Sequence, residues 1–286
     1  MTHHARLNLI MLVTIAGLLM FLYFKPQPDN IQEYPITSNS IEAIQTIRIV
    51  RQQGEIVLQR QANHWHLIGP VRTRANEKKV KEILKILSAK SNHRFPLQDL
   101  ARFGLDRPNL HLYFDEDYLG FGGYAPITNQ QYVLTRDYVY LISPHYALFL
   151  PIKAGSLIST QLLADNEIPV KFEFNHLIVA HSNGSWNGII QNGENLRDAE
   201  LEHWVQFWRT ANAREVTIAQ EQELSDDFAE INNLTISLQN GQGINVKIMQ
   251  NDNEIVLFRA DTGIHYHFAK GTGERLLAPA ASKSAQ

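Results

Sequence analysis

Two histidines, His64 and His66, flank Trp65 with a spacing that suits a metal site. Alternate side chains of a β-strand share a face, so both imidazoles of such a pair point the same way. A His-x-His pair binds zinc or copper when a third or fourth ligand joins it. The other histidines of this half of the chain are His93, His111 and His145. Because nothing in the sequence places these beside the pair, we predict exposed histidines and assign no metal ligands.

A second pair, His265 and His267, flanks Tyr266 in the same way. The same argument places these two imidazoles on a solvated strand face, without a metal. His3 and His4 precede a long apolar run at the N-terminus, and we expect them to be exposed.

Glycine-rich stretches are the next candidates, because backbone amides of glycine loops cradle phosphates. Such a loop follows a strand and opens a helix. Gly120, Gly122 and Gly123 are followed instead by "QYVL", a strand pattern, which predicts a hairpin or a β-bulge. The stretch "KGTGER" (270–275) comes after the last predicted strand. We therefore assign no cofactor-binding residues.

Catalytic and cation-binding patterns are also weak. The chain contains neither a Gly-x-Ser-x-Gly elbow nor a His-Glu-x-x-His segment. The acidic turn at 115–117 lacks the spacing of an EF-hand loop. Lysines at 78, 79, 81 and 85 predict a solvated helix face, or a face that touches anionic headgroups. We therefore assign no catalytic residues and predict that the protein is not an enzyme.

Composition limits the class of protein. The chain has 286 residues, 44% of them hydrophobic, and a formal net charge of −3. This length suits about two domains with real cores. The near-neutral charge argues against nucleic-acid binding, which needs a concentrated basic surface. Cysteine is absent, which excludes disulfides, thiolate nucleophiles and Cys-ligated metals.

The N-terminal region predicts a membrane anchor. The run Leu7–Phe24 is uncharged, and eighteen helical residues span about 27 Å, close to the thickness of a bilayer core. A cleaved signal peptide is the alternative, but its apolar region is shorter and ends in small residues. Here the run ends in aromatic residues typical of an interface. Arg6 and the amino terminus before the span, set against Lys25 directly after it with Asp29 and Glu33 beyond, favour an N-terminus inside and a body outside.

An internal repeat organises the rest of the chain. An offset of 121 residues takes the apolar triplet 56–58 to 177–179 and Trp65 to Trp186. The same offset takes a helical stripe of Val80, Ile83, Leu84 and Leu87 to Leu201, Trp204, Val205 and Trp208. The tryptophan recurs, whereas Ser185 and Asn187 stand where the histidines were. The repeat therefore predicts a tandem duplication in which the tryptophans occupy equivalent core positions.

Each copy has strands, one helix and then two or three further strands, which predicts an α+β fold. We expect an N-terminal transmembrane helix followed by two duplicated domains, each an antiparallel sheet with a helix on one face. The predicted boundaries are a tail at 1–6, the anchor at 7–24, a Pro-rich linker at 25–40, the first repeat at 41–150, a connecting segment at 151–169, the second repeat at 170–275 and a disordered tail at 276–286. The connecting segment is apolar enough to pack at the interface between the repeats.

The first copy resembles a bacterial family known as domain of unknown function 4340. The residues that carry the likeness are Trp65, Leu67 and Pro70, followed by the stretches "FGLDRPNLHLYF" (103–114), "GFGGYAPITNQQYVLTRDYVYLIS" (120–143) and "LISTQLL" (157–163). The likeness covers about residues 45–165 well and the second copy loosely. The acidic residue usual in the loop before the family's helix is replaced here by the run "RTRAN" (72–76).

The resemblance implies a single-span bacterial inner-membrane protein with a periplasmic body, often encoded beside ABC-type transport components. It implies no catalytic residues. We expect a non-catalytic accessory or scaffold component of an envelope assembly, with protein partners in the inner membrane and no nucleic acid. One alternative is a lipid, glycan or peptide binding module with a groove between the repeats. The other is a hydrolase whose residues the sequence does not reveal.

Overall fold

A computed structural model describes residues 3–24, 32–190, 195–196, 198–221 and 223–279. Helix α1 (His3–Phe24) opens the chain. Its segment Arg6–Phe24 has a mean hydropathy of 2.3 and is not buried against the rest of the protein. By length and composition this helix can cross a bilayer, and an N-terminal signal sequence would meet the same criteria.

The first folded unit is built on a nine-stranded antiparallel sheet. Its strands are β2 (Thr46–Arg51), β3 (Gly54–Gln61), β4 (His64–Gly69), β5 (Thr73–Arg74), β7 (Arg94–Phe95), β8 (Leu110–Phe114), β9 (Asp117–Tyr124), β10 (Gln131–Leu134) and β11 (Val139–Ile142). A separate two-stranded sheet pairs β1 (Tyr34–Pro35) with β6 (Lys90–Ser91). The helices are α2 (Glu77–Leu84), the short α3 (His145–Leu148), and 3-10 turns at Lys85–Ser88 and Leu100–Phe103.

The second unit also has nine antiparallel strands. They are β12 (Pro169–Phe174), β13 (Leu177–Ser182), β14 (Ser185–Ile190), β15 (Asn195–Leu196), β16 (Glu215–Ile218), β17 (Ala229–Leu238), β18 (Gly243–Gln250), β19 (Glu254–Arg259) and β20 (Ile264–Ala269). Its helices are α4 (Asp198–Thr210) and α5 (Lys270–Leu277). A 3-10 turn at Ala154–Leu157 lies between the two units.

The two sheets have the same strand order. The first runs β5-β4-β3-β2-β8-β9-β10-β11-β7, and the second runs β15-β14-β13-β12-β17-β18-β19-β20-β16. In each sheet, the first sheet strand after the long helix (β7 or β16) lies at one edge. The last four strands of each unit continue outwards from its opening strand (β2 or β12). The predicted antiparallel sheet with a helix is therefore observed twice, but with more strands after the helix than the two or three predicted.

Each long helix buries the stripe that the sequence predicts. Val80, Ile83, Leu84 and Leu87 are all buried in the first unit. Leu201, Trp204, Val205 and Trp208 are all buried in the second. The spacing places these side chains on one helix face, where they pack against the sheet and stabilise it by removing apolar surface from water.

The two repeated tryptophans differ in burial, so the prediction of equivalent core positions is wrong for one of them. Trp65 is 3% exposed, whereas Trp186 is only half-buried. Their positions in the sheets agree, since Trp65 pairs with Arg60 and Trp186 with His181 at the same offset. The difference arises because two indoles of α4 already fill the second core beside Phe172.

Two predicted boundaries also need correction. Residues 25–31 of the predicted linker lie outside the described part of the chain, but residues 32–40 pack on the first unit, where Ile36 is buried. The predicted tail begins inside α5, because Leu276 is buried and accepts hydrogen bonds from Trp204 Nε1 and Trp208 Nε1. The sequence "KGTGER" is thus helical and lies in the fold.

Candidate functional site

A cleft of about 740 Å³ lies where the first unit meets the connecting segment, and Asn212 of the second unit also lines it. Its walls come from the turn between β3 and β4, the first turn of α2, and the connecting segment near residues 159–166. A cavity of this volume is within the usual range for ligand sites, and sites of this kind often lie between domains.

Local sequence features place the wall from the first unit. Ala62 and Asn63 turn the β3–β4 hairpin with positive φ angles of 46° and 68°. Asn76 caps α2, and its side-chain oxygen accepts the amide of Lys79 at 3.3 Å. Glu77 Oε1 accepts the amide of Trp65 at 2.7 Å, which fixes the hairpin to the helix.

The connecting segment forms the floor and pairs with residues of both units through the isolated bridges Ala75–Ile158 and Gln161–Asn212. The Ser159 amide donates to the Arg74 carbonyl at 3.0 Å, on the side of the first sheet. The Ala213 amide donates to the Thr160 carbonyl at 2.8 Å, on the side of the second sheet. Backbone hydrogen bonds therefore join the two units through this segment.

Two arginines fasten the same stretch of the connecting segment. Arg74, from the "RTRAN" run, donates to the Gln161 carbonyl at 2.7 Å. Arg259, which is 5% exposed, donates to the Leu162 carbonyl at 2.8 Å and forms ion pairs with Glu167 and Asp261. Nothing in the sequence distinguishes these arginines from surface arginines, because Gln161 and Glu167 lie 87 and 92 residues from Arg74 and Arg259.

Burial opposes ionisation of both carboxylates. The hydrogen bonds and positive charge of Arg259, together with backbone hydrogen bonds, outweigh burial and lower the pKa values of Glu167 and Asp261. Burial likewise disfavours the charged guanidinium, but the two carboxylates raise the pKa of Arg259 overall. All three groups therefore stay charged at neutral pH, which keeps the segment fixed under the cleft.

The cleft lining carries many polar side chains and no dominant charge. Its charged side chains are Arg74, Glu77, Lys78 and Asp165, and their formal charges cancel. Its neutral polar side chains are Gln61, Asn76, Ser159, Thr160, Gln161, Asn166 and Asn212, beside His64 and His66. Amides and hydroxyls offer both donors and acceptors, so this surface suits a neutral polar ligand better than a phosphate or a fatty chain.

The first pair of candidate histidines lies at this cleft. The His64 side chain is 71% exposed, with Nδ1 3.6 Å from Glu77 Oε1, and His66 is half-buried. Among the described residues, no group of three His, Asp or Glu side chains is placed to hold a metal ion. His93, His111 and His145 are elsewhere, and His111 Nδ1 contacts the Tyr118 hydroxyl at 3.0 Å.

We expect a His64→Ala and His66→Ala double variant to keep the metal content and thermal stability of the parent chain. Two imidazoles without a further ligand bind zinc or copper poorly. Elemental analysis of the purified chain, with exposed His203→Ala as the control, measures this. Stoichiometric metal that disappears only in the double variant would contradict the expectation.

The prediction of a solvated face for the second pair is wrong. His265 and His267 are 7% and 6% exposed. His267 Nε2 lies 3.0 Å from Thr217 Oγ1, and its Nδ1 lies 3.4 Å from Glu254 Oε1. The order hydroxyl, imidazole, carboxylate matches a nucleophilic triad. Thr217 is only 6% exposed, however, and these contacts satisfy the hydrogen-bonding groups of a buried histidine.

The buried imidazole of His265 predicts a pH-dependent stability. Burial, and then the neighbouring His267, lower the pKa of His265 from 6.5 to about 4. The unfolded chain therefore takes up this proton at a higher pH than the folded chain. The contribution of neutral, buried His265 to the free energy of unfolding is fully present above pH 6.5. It is lost as the pH falls towards 4, by about 3 kcal/mol in total.

The measurement is the free energy of unfolding of the full chain at several pH values between 4 and 6.5. We expect His265→Gln to flatten the pH dependence and exposed His203→Gln to leave it unchanged. Equal slopes for the parent chain and the His265 variant would show that this group titrates normally.

Comparison with known proteins adds one finding. Residues 65–185 match the family described as "Domain of unknown function (DUF4340)". This range runs from β4 through the rest of the first unit and the connecting segment to the first residue of β14 in the second unit. No curated protein and no solved structure matches the chain.

Proposed function

Residues 65–185 belong to the family of domain of unknown function 4340, and from this premise we propose that the protein is a non-catalytic scaffold or accessory component of a membrane assembly. In this proposal α1 is an uncleaved anchor in the bacterial inner membrane, and the body is periplasmic. The transport connection, with ABC-type components as partners, is the part that rests on family resemblance.

One observation carries the proposal. An apolar helix, uncharged from Leu7 to Phe24 and not buried against the body, is separated from it by only the seven residues 25–31. A helix of this composition is stable in a bilayer and costly to leave in water. A body tethered this closely meets other membrane proteins far more often than a free one, because tethering raises the effective concentration.

The construction of the body supports a scaffold. Backbone hydrogen bonds through residues 158–161 and the buried Arg259 cluster hold the two units together. We further infer that the units arose by tandem duplication, since their strand order and the 121-residue register agree. An experimental structure in which the two sheets fail to superpose strand for strand would contradict the duplication.

The test is crosslinking in intact cells, followed by purification of the tagged full chain from membranes and quantitative mass spectrometry. We expect one or a few membrane proteins at near-stoichiometric amounts. A control chain in which an unrelated single-span helix replaces Leu7–Phe24 should recover the same proteins, because the body makes the contacts. Recovery of bulk membrane proteins only, in proportion to their abundance, would contradict the proposal.

The cleft supports a second candidate, a module that binds a neutral glycan or peptide. Its 740 Å³ volume and its lining of amide and hydroxyl side chains favour this function. Thermal-shift screening of the full chain against saccharides and peptides tests it. We expect stabilisation that is lost in Gln161→Trp, which fills the cleft, and kept in the control Gln242→Trp, at an exposed turn. Equal shifts in both variants would argue against a ligand in the cleft.

A further inference from the structure

Five large apolar side chains are exposed at one end of the first sheet, and we refer to them as the apolar tip. They are Tyr124 (58% exposed), Ile127 (95%), Leu148 (80%), Phe149 (46%) and Ile152 (70%). Single exposed apolar residues are ordinary on soluble proteins, but a concentration of large ones marks a contact surface.

Strand register places the apolar tip at one end. Arg51, the last residue of β2, pairs with Leu110, the first residue of β8. At the same end of the sheet, Tyr124 pairs with Gln131, and Gln131 pairs with Ile142. The loop 125–130 and the segment after Ile142 therefore leave the sheet at the same end, from strands about 5 Å apart.

Both loops are held in place. The Arg51 guanidinium donates to the carbonyls of Pro151 at 3.0 Å and Leu150 at 3.1 Å. Leu150 and Pro151 are buried, so the backbone is fixed while the side chains on either side point outwards. In the other loop, the Ala125 amide donates to the Gln130 carbonyl and the Asn129 amide to the Ala125 carbonyl. Ile127 is thus presented on a hydrogen-bonded turn.

The chain from the anchor joins the opposite end of this sheet. Thr37 and Asn39 donate to Asp117 Oδ2 at 2.6 and 2.8 Å, and Asp117 starts β9 at the far end from Tyr124. Phe24 and Gln32 are eight residue steps apart, which reach at most about 28 Å when extended. Strand β9 has eight residues and spans about 27 Å. The chain between Phe24 and Gln32 is therefore long enough for the body to lie with the apolar tip against the bilayer.

We propose that the apolar tip inserts into the interfacial layer of the bilayer that α1 spans, so that the protein contacts the membrane at two points. This inference rests on the proposed anchoring of α1. Ile152 borders a cleft of about 320 Å³ beside Ile49 and Ile56. The other four tip side chains project from loop ends, a shape that suits a fluid apolar phase. A bilayer also lies within reach of the tether, whereas a protein partner would have to supply a complementary groove.

Insertion of the apolar tip determines which way the 740 Å³ cleft faces relative to the membrane. The β3–β4 turn at the cleft lies at the far end of β3 from Gly54, which pairs with Arg51 at the tip end. Strand β3 has eight residues, so the cleft turn is about 25 Å further from the membrane. The cleft then opens towards the periplasm, where a soluble ligand can enter it.

The chain has no cysteine, so single cysteines can be labelled specifically. The full chain is reconstituted into phosphatidylcholine–phosphatidylglycerol vesicles with an environment-sensitive fluorophore at Ile127→Cys or Leu148→Cys. The matched controls are exposed positions at other places on the body, Glu116→Cys at the opposite end of the first sheet and Asp226→Cys in the second unit. Nitroxide lipids with the spin label near the headgroup report contact with the interface, and vesicle flotation reports anchoring.

We expect the chain to float with the vesicles, and nitroxide lipids to quench the labels at 127 and 148 but not those at 116 and 226. Floating chains with all four labels unquenched would overturn the insertion and leave the anchor intact. In native membranes, crosslinks from unquenched positions 127 and 148 to one protein would assign the tip to a protein partner instead. A chain that does not float would overturn both the anchoring and the insertion.

Discussion

Replacing Arg259 with alanine is expected to lower the free energy of unfolding by about 3–5 kcal/mol, because the change leaves partly buried carboxylates without their cation. Arg259 is 5% exposed and binds Glu167, Asp261 and the Leu162 carbonyl. Chemical denaturation of the full chain in detergent measures the loss.

The matched control is Arg214→Ala. Arg214 also forms an ion pair, with Glu254 at 2.9 Å, but its side chain is 67% exposed. An exposed pair contributes about 0–1 kcal/mol. A further variant with Arg259→Ala and Glu167→Ala together should lose less than the sum of the two single changes, since the residues are direct partners. Equal losses of unfolding free energy for Arg259→Ala and Arg214→Ala would contradict a stabilising role of the buried Arg259 cluster.

The contribution of the buried Arg259 cluster to stability also depends on pH. The folded pKa values of Glu167 and Asp261 are lowered, so their contribution is present above the unfolded values and is lost as the pH falls through the folded ones. The acid limb of stability, below about pH 4.5, should therefore be less steep in Arg259→Ala than in the parent chain.

Trp208→Ala is expected to cost about 3–5 kcal/mol, because it opens a cavity at the centre of the second core. Trp208 is 1% exposed and packs against Phe172, with ring centroids 5.4 Å apart. Its Nε1 donates to the Leu276 carbonyl at 2.9 Å, so the change also removes a bond that holds α5. Unfolding of the full chain, followed by tryptophan fluorescence, measures the cost.

Trp186→Ala is the matched control for Trp208→Ala. Both changes remove an indole from the second unit, but Trp186 is only half-buried on its strand. We expect Trp186→Ala to cost clearly less than Trp208→Ala. The reverse order would mean that the repeated tryptophan, and not the helix stripe, organises this core.

Local patterns in the sequence were sufficient to predict the helix of each repeat, α2 and α4, but not α3 or α5. The spacing of Val80, Ile83 and Leu84 places them on one face, and all three are buried. Apolar periodicity depends only on neighbours within two turns, so a single sequence reveals it. The offset of 121 residues likewise revealed two units of similar composition before their strands could be delimited.

Long-range contacts could not be predicted in this way. Strand β7 has two residues, and β9 contains three glycines, so neither has the alternation typical of a strand. The burial of His265 and His267 depends on cross-strand pairing with β16, about fifty residues earlier. The roles of Arg74 and Arg259 depend on carbonyls of the connecting segment, and backbone acceptors leave no trace in the sequence.

The central claim is that the body acts while tethered to the membrane. The direct measurement replaces Leu7–Phe24 with a cleavable secretion signal and asks whether the exported, folded body restores the phenotype of a strain that lacks the protein. At matched abundance, the account predicts restoration by the full chain and by a chain with an unrelated anchor, and failure of the untethered body. Full restoration by the untethered body would contradict the account.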